Sequence, residues 1–516
     1  MAGKRDYNTK SQQRKLNSLH LFANSQKIMS AGQIAELSRS PVRTVYLFLI
    51  NRGPRLRKAG VVAFLLLALC VDLTAARTRS AETSQRACRI DPIDFEGWKA
   101  EQLSNEWLKL IVVPQLGGRL MQIFFVGHPY LFVNSEYKGR YLPPSAGGAN
   151  GKWFNYGGDK IWPMPEGSGD EHHWPGPISD ELDDGEYTFQ VLSLDSRCGL
   201  RLNGPPDART GLQYSREISI GGDSPEIVFH AVMKNASTRP IQWSMQSVTQ
   251  YDTADLQTIG AYNKDFWAFT PVNPQSAYLD GYHVRSGLAD DPSFSVRNDL
   301  FTLHWLYLQS EVWIDSPKGW LAVADGSKHF ALIERFVFHE GADYPGKATV
   351  IFYKNGPTVD IDSKGVPFIR TSPDDAPYYM EAELNSPIVR LEPGSSYAMD
   401  TKWYPTRMGE SVATVTDAGA ISEPLIVSPT KDGFRISASF GVFFAGKLAA
   451  HLYDRNDREL NVVTLQTVNP SEFVRLNQEI KIPPLTEHVS LRLVDAQEID
   501  RGSLGEAQLG HASGGA

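Results

Sequence analysis

The chain is poor in cysteine, with three among 516 residues, and its uncharged apolar runs are short. Two or three thiols give no basis for a zinc site or a thiol enzyme. No HxH or HExxH spacing provides histidines instead. Helical periodicity is missing after residue 90, where apolar residues do not recur at three- and four-residue intervals. Positive charge is scarce beyond residue 85, with 37 Lys and Arg against 55 Asp and Glu. That deficit argues against nucleic acid as a partner of this part of the chain.

Residues 1–85 reverse the balance, with 14 Lys and Arg against 4 Asp and Glu. Arg52, Arg55, Arg57 and Lys58 precede the apolar run Ala59–Val71, and Thr74-Ala75-Ala76 follows it. A basic region, a short apolar region and a small-residue cleavage site make an export signal. Thirteen residues are short for a bilayer span of about 20. Residues 54–76 are therefore read as a signal peptide or, if uncleaved, an anchor touching the membrane through residues 59–76. The remainder is expected in the periplasm or outside the cell. Cys70 leaves with the signal, and Cys88 and Cys198 are candidates for one disulfide. Residues 1–53 form an N-terminal extension. Either translation starts later, at Met29 or beyond, or the segment is a cytoplasmic module. Gln33–Phe48 resembles a helix-turn-helix with basic flanks suited to phosphates.

From Trp107 onward the chain reads as strands broken by turns. Trp107–Val113 is apolar and β-branched, Pro114 stops it, Gly117-Gly118 turns it, and Arg119–Val126 returns. Tyr187–Leu194, Gln213–Ile220 and Ile227–Lys234 follow. In the last, Ile227, Phe229, Ala231 and Met233 share one face by strict alternation. Trp320–Ala324, Ala331–Phe338 and Thr349–Lys354 continue the pattern. Thr416–Glu423 reads as a linker. The runs Leu425–Val427, Phe434–Phe440, Ala449–Tyr453, Val462–Val468, Glu479–Ile482 and Val489–Val494 then fit a small sandwich. The tail from Leu509 is expected to be disordered.

Trp153–Trp174, WFNYGGDKIWPMPEGSGDEHHW, fits neither a helix nor a strand period and reads as a long aromatic loop. Flat rings beside carboxylates and amides suit a sugar, since rings stack on its C–H faces and polar groups read its hydroxyls. The bland alternative is a hydrophobic plug over one end of a sandwich. Asp180, Glu181, Asp183, Asp184 and Glu186 form an acidic run without DxDxDG spacing, so a solvated turn is preferred to a calcium loop.

Two segments resemble the galactose mutarotase-like (aldose 1-epimerase-like) superfamily. Asn105–Gly118 with Arg119 resembles its opening strand and Gly-Gly-Arg turn, and Tyr378–Tyr404 its closing block. Gly157–Pro165 (GGDKIWPMP) and Trp243–Asp252 resemble an uncharacterised bacterial branch. The resemblance implies an all-β fold: a galactose-mutarotase-like β-supersandwich over 90–408 plus a small C-terminal β-sandwich over 422–508. It implies carbohydrate as the partner and no cofactor. It also implies Glu381 as a candidate general base, with Glu383 as the alternative. The family's acid is a histidine, but Thr249-Gln250-Tyr251-Asp252 stands in its place. His172, His173 and His283 are then candidates for a substitute acid. Trp153, Trp162 and Trp174 are the expected stacking rings, and Asp159, Lys160, Gln250, Arg119 and Glu381 the polar contacts. Three functions stand at this stage: a carbohydrate binder, a sugar epimerase or mutarotase using Glu381, and an envelope structural or interaction protein. A membrane-anchored sensor with a DNA-binding head is a fourth.

Overall fold

The computed structural model describes residues 88–509, except 145–151, 195, 259, 365, 372–376 and 410. All of them belong to one compact unit, Ser80–Ala516. The export segment, the helix-turn-helix resemblance and the tail past Leu509 lie outside the described residues. Among the described residues no helix is long and apolar enough to cross a membrane.

The all-β expectation holds. Antiparallel strands account for the regular structure, and the helical element among the described residues is one short turn, Pro345–Lys347. A twelve-stranded sheet runs in spatial order Arg89–Phe95, Trp98–Ser104, Leu108–Val113, Arg119–Phe125, Asp159–Met164, Ile241–Asp252, Tyr379–Asn385, Val350–Lys354, Ser310–Ile314 and His283–Ser286. Two short strands pair off this path. A ten-stranded sheet has Trp320–Asp325, Phe330–Phe336, Ser396–Arg407, Ile227–Asn235 and Leu212–Gly221 at its middle.

Alternation decides which side chains face inward. Ile227, Phe229, Ala231 and Met233 are buried while Val228, His230, Val232 and Lys234 are not. The inward residues meet Leu110, Val112, Leu120 and Ile123 of the other sheet in one apolar core. Trp320–Asp325 departs from alternation because all six of its residues are buried. Its second face is covered by the C-terminal part of the chain. Ala322, Trp320 and Tyr404 pack with Phe440, Val442, Leu448, Leu491 and Leu493.

Residues 414–508 form two four-stranded sheets. Thr416–Glu423, read as a linker, is corrected. Gly419–Pro429 is a strand paired with Phe434–Val442, and its small residues face a crowded neighbour. A Cβ on Gly419 would lie 2.2 Å from the Gly441 carbonyl oxygen. The sequence also hides the last strand, Asp500–Gln508, whose residues are mostly polar.

Cys88 and Cys198 are joined by a disulfide across 110 residues. Cys88 immediately precedes the edge strand of the twelve-stranded sheet, and Cys198 lies in Arg197–Pro206 of the ten-stranded one. The bond staples the two sheets and closes a long loop, which should stabilise the fold by about 2–5 kcal/mol. Cys198→Ser is expected to lower the urea midpoint accordingly. An unchanged unfolding curve on adding reductant to the parent protein would refute the pairing.

Candidate functional site

The site is built on the outward face of the twelve-stranded sheet. Directly opposed residues of antiparallel strands point the same way, so the register places one row of side chains together. Trp162 is opposite Gln246, and Gln250 is opposite Glu381. Glu381 is opposite Tyr353, and Glu383 opposite Ile351. Tyr353 is opposite Glu311, Ile351 opposite Trp313, and Trp313 opposite His283. The other face of the same strands carries Phe352, Met380, Ala382, Leu384 and Val312 into the core. These strands thus show an apolar inner face and a polar, aromatic outer one.

A cleft of about 210 Å³ opens there, lined chiefly by Trp153, Trp162, Glu166, Gln246, Glu311, Trp313, Tyr353, Tyr379, Glu381 and Glu383. A larger groove of about 700 Å³ lies against the C-terminal sheets, but its charges neutralise one another. Arg335 pairs with Asp417 at 2.6 Å and Arg501 with Asp495 at 2.6 Å. Among the described residues, Glu166, Glu311 and Glu383 of the smaller cleft have no ion pair within 4 Å, which makes it the better candidate for a ligand.

Glu381 is 7% exposed and its Oε1 accepts from Gln250 at 2.6 Å. The Lys160 ammonium stands 3.5 Å from the same oxygen and 4.3 Å from the Trp162 ring centre. Burial pulls the lysine's pKa down and Glu381 opposes that pull. Glu383, also 7% exposed, accepts from Gln246. Burial, then the charge of Glu381, pushes Glu383 well above the usual carboxylate range. Glu166 faces the solvent of the cleft yet is surrounded by protein on most sides. Burial, with Glu311 and Glu381 adding to it, pushes its pKa up to about 7. Glu311 is raised as well, first by burial. Of these three raised carboxyls, which stand beside a fourth tied to an ammonium, Glu166 can exchange a proton near neutrality. Among the described residues no group of three or more His, Cys, Asp or Glu is set to hold a metal ion.

Several expected contacts sit elsewhere. Trp153–Trp174 is not wholly a loop, because Asp159–Met164 is a fully buried strand in the middle of the sheet. Gly157 makes its entry: φ is +93° there, and a Cβ would lie 2.1 Å from the Phe132 carbonyl oxygen. Trp174 is fully buried behind Trp162, ring centres 5.2 Å apart, and donates to Asp180 at 2.9 Å. It cannot stack on a ligand. Arg119 is wholly buried too. It donates to the Gly157 carbonyl at 3.0 Å and to Asp183 at 2.7 Å. Asp159 points to the opposite face, where it pairs with Arg216 between the two large sheets. Gln250 is fully buried and positions Glu381 rather than reaching the cleft. His172 and His173 are on the surface, paired with Glu171 and Asp170. His283 lies on the edge strand and acts on Glu311 from there.

The acidic run is not a solvated turn. Asp180, Asp183 and Asp184 are buried. Asp183 accepts from Arg119, from Trp162 Nε1 at 2.7 Å and from Trp153 Nε1 at 3.1 Å. One carboxylate therefore aims two cleft rings. Glu166, Glu311, Trp313, Tyr353 and Tyr379 were not singled out from sequence. Glu311-x-Trp313 and Tyr379-x-Glu381-x-Glu383 did carry a signal, polar or aromatic residues alternating with core residues.

No family model and no curated protein matches the chain. The fold class is that of large antiparallel β-sandwich proteins. Among solved structures, similar ones include a galactose mutarotase-like protein from Clostridium acetobutylicum, at 10% identity and a TM-score of 0.40, covering 63% of this chain and 100% of that one. A galactose mutarotase-like protein from Lactobacillus casei gives 11%, 0.38, 59% and 99%. A TPR-domain containing protein from Parabacteroides distasonis gives 16% and 0.39, with 60% of this chain matching 47% of that one. This chain thus spans about half the length of the Parabacteroides protein. Likeness at these values is in the course of the chain alone.

Two outcomes follow. Asp183→Asn should destabilise the fold by about 1–3 kcal/mol, because it removes the carboxylate nearest the buried Arg119 and leaves it Asp184 at 3.8 Å; urea denaturation measures this. Glu334 lies between the sheets, bonded to Tyr251, and burial pushes its pKa up to about 8. The folded state therefore keeps a proton that the unfolded chain loses near pH 4.5, and stability from this group falls as pH rises through that interval to about 8. Glu334→Gln should flatten that decline in melting temperature between pH 5 and 8.

Proposed function

We propose that the cleft on the twelve-stranded sheet binds a carbohydrate. One observation carries the reading: rings of Trp153, Trp162, Trp313, Tyr353 and Tyr379 line the same small cavity as Glu166, Glu311, Glu381 and Glu383. Ring faces stack on the C–H faces of a pyranose while carboxyl oxygens accept from its hydroxyls. The volume lies below the roughly 300–1,000 Å³ of drug-sized sites, which suits a ligand of about one sugar ring. The disulfide supports the export reading, since such bonds persist in oxidising compartments. The export signal, the C-terminal sandwich and the cleft together make an exported carbohydrate-binding protein.

A second reading, sugar epimerisation or anomer exchange, has a specific observation in its favour. Opening a hemiacetal removes the proton of the anomeric hydroxyl and delivers one to the ring oxygen, and closure on the other face reverses both transfers. Glu381 would take the first proton. Glu166, with a pKa near 7, would give the second, in the role that a histidine has in the family the sequence resembles.

Trp313→Ala and Glu381→Gln should each weaken sugar binding at least tenfold in calorimetric titrations while the far-ultraviolet circular dichroism stays that of the parent. Unchanged affinity in both variants would defeat the carbohydrate reading. Exchange between α and β anomers, followed by NMR, separates the two functions: a binder leaves the uncatalysed rate, and an epimerase loses its acceleration in Glu381→Gln.

A further inference from the structure

The hydrogen-bonding groups of the cleft are unevenly divided. Its indole, amide and phenol groups donate within the protein. The indole N–H groups of Trp153 and Trp162 go to Asp183, and that of Trp313 goes to Glu311. Gln246 donates to Glu383, and Gln250 beneath it to Glu381. Tyr353 reaches Asn355, and Tyr379 shares its hydroxyl with Tyr353 and Asn155. What remains for a ligand is the carboxyl groups of four glutamates, Glu381 and Glu311 as acceptors and Glu166 and Glu383 with raised proton affinity, and the faces of aromatic rings.

Among the described residues no Lys, Arg or His lines the cavity. Lys160 lies under it, bound to Glu381, and Arg285 and His283 act on Glu311 from the flanking strand. Lys160 also shows what these walls accept, since its ammonium rests over the rings of Trp162 at 4.3 Å and Trp153 at 5.8 Å beside a carboxylate. An ammonium has three donors, no acceptor, and a charge that both carboxylates and ring faces attract. A neutral sugar would bring no counter-charge to Glu166 and Glu311, on which Arg285 acts only from the flanking strand, and an acidic one would meet like charge.

We propose that the cleft selects a sugar carrying a free amine, of the 2-amino-2-deoxyhexose class, with the ammonium seated among Glu166, Glu311 and the Trp313 ring. The proposal deepens the carbohydrate reading and rests on it.

The test is calorimetric titration of the purified full chain at pH 7 and low salt with glucosamine, N-acetylglucosamine, glucose and glucuronate. Glucosamine is expected to bind at least tenfold more tightly than the two neutral sugars, with no heat from glucuronate. Glu311→Gln, which keeps shape and removes charge, is expected to reduce the preference for glucosamine over glucose at least fivefold. Glucose or N-acetylglucosamine binding as tightly as glucosamine would overturn the amine selection and leave the carbohydrate reading intact. So would an equal loss for glucosamine and glucose in Glu311→Gln. Absence of binding by all four sugars would overturn both.

Discussion

The cleft depends on a buried carboxylate that does not line it. Asp183 takes hydrogen bonds from Arg119, Trp162 and Trp153, and an ion pair among groups this buried is stable only while every partner is in place. Arg119 in turn holds the Gly157 carbonyl, at the point where the chain enters the Asp159–Met164 strand. Asp183 therefore connects the Gly-Gly-Arg turn, the central strand and two walls of the cavity. Gly117 fits the same junction, because a Cβ there would lie 2.0 Å from the Asp183 carbonyl oxygen.

The two faces of the central strands turn toward different surroundings, the core on one side and the cavity on the other. Inward residues such as Phe352, Met380 and Leu384 form the sheet-on-sheet core. The outward residues between them, Tyr353, Glu381 and Glu383, face the cavity. A β-strand imposes this division through its two-residue period, so a shift of register by one residue would empty the core and the site together. The ten-stranded sheet has no such free face at its middle, because the C-terminal sheets cover it.

Much of the fold was legible because strand alternation and Gly-Pro turns are local signals. Ile227–Asn235 and Val350–Lys354 lie within a residue or so of the runs read from sequence. Asp159–Met164 was not legible as a strand, since a segment buried on both faces shows no alternation. Of the candidate site residues, Glu381, Lys160, Trp153 and Trp162 come together at the cleft, while Trp174, Asp159 and Arg119 support it from within. An Asp in sequence does not announce whether it faces water or an indole, and the run from Asp180 to Glu186 was misread for that reason. Glu166 and Glu311 belong to distant segments, and only the sheet order brings them together.

The shared tether of Trp153 and Trp162 has an optical consequence. Two indoles that donate to one carboxylate and lie 5.9 Å apart emit from a single electrostatic environment. A charge entering the cavity changes the field at both rings at once, so their fluorescence reports occupancy without an added dye. The carboxylate that fixes both rings in the cavity wall thus also couples their emission.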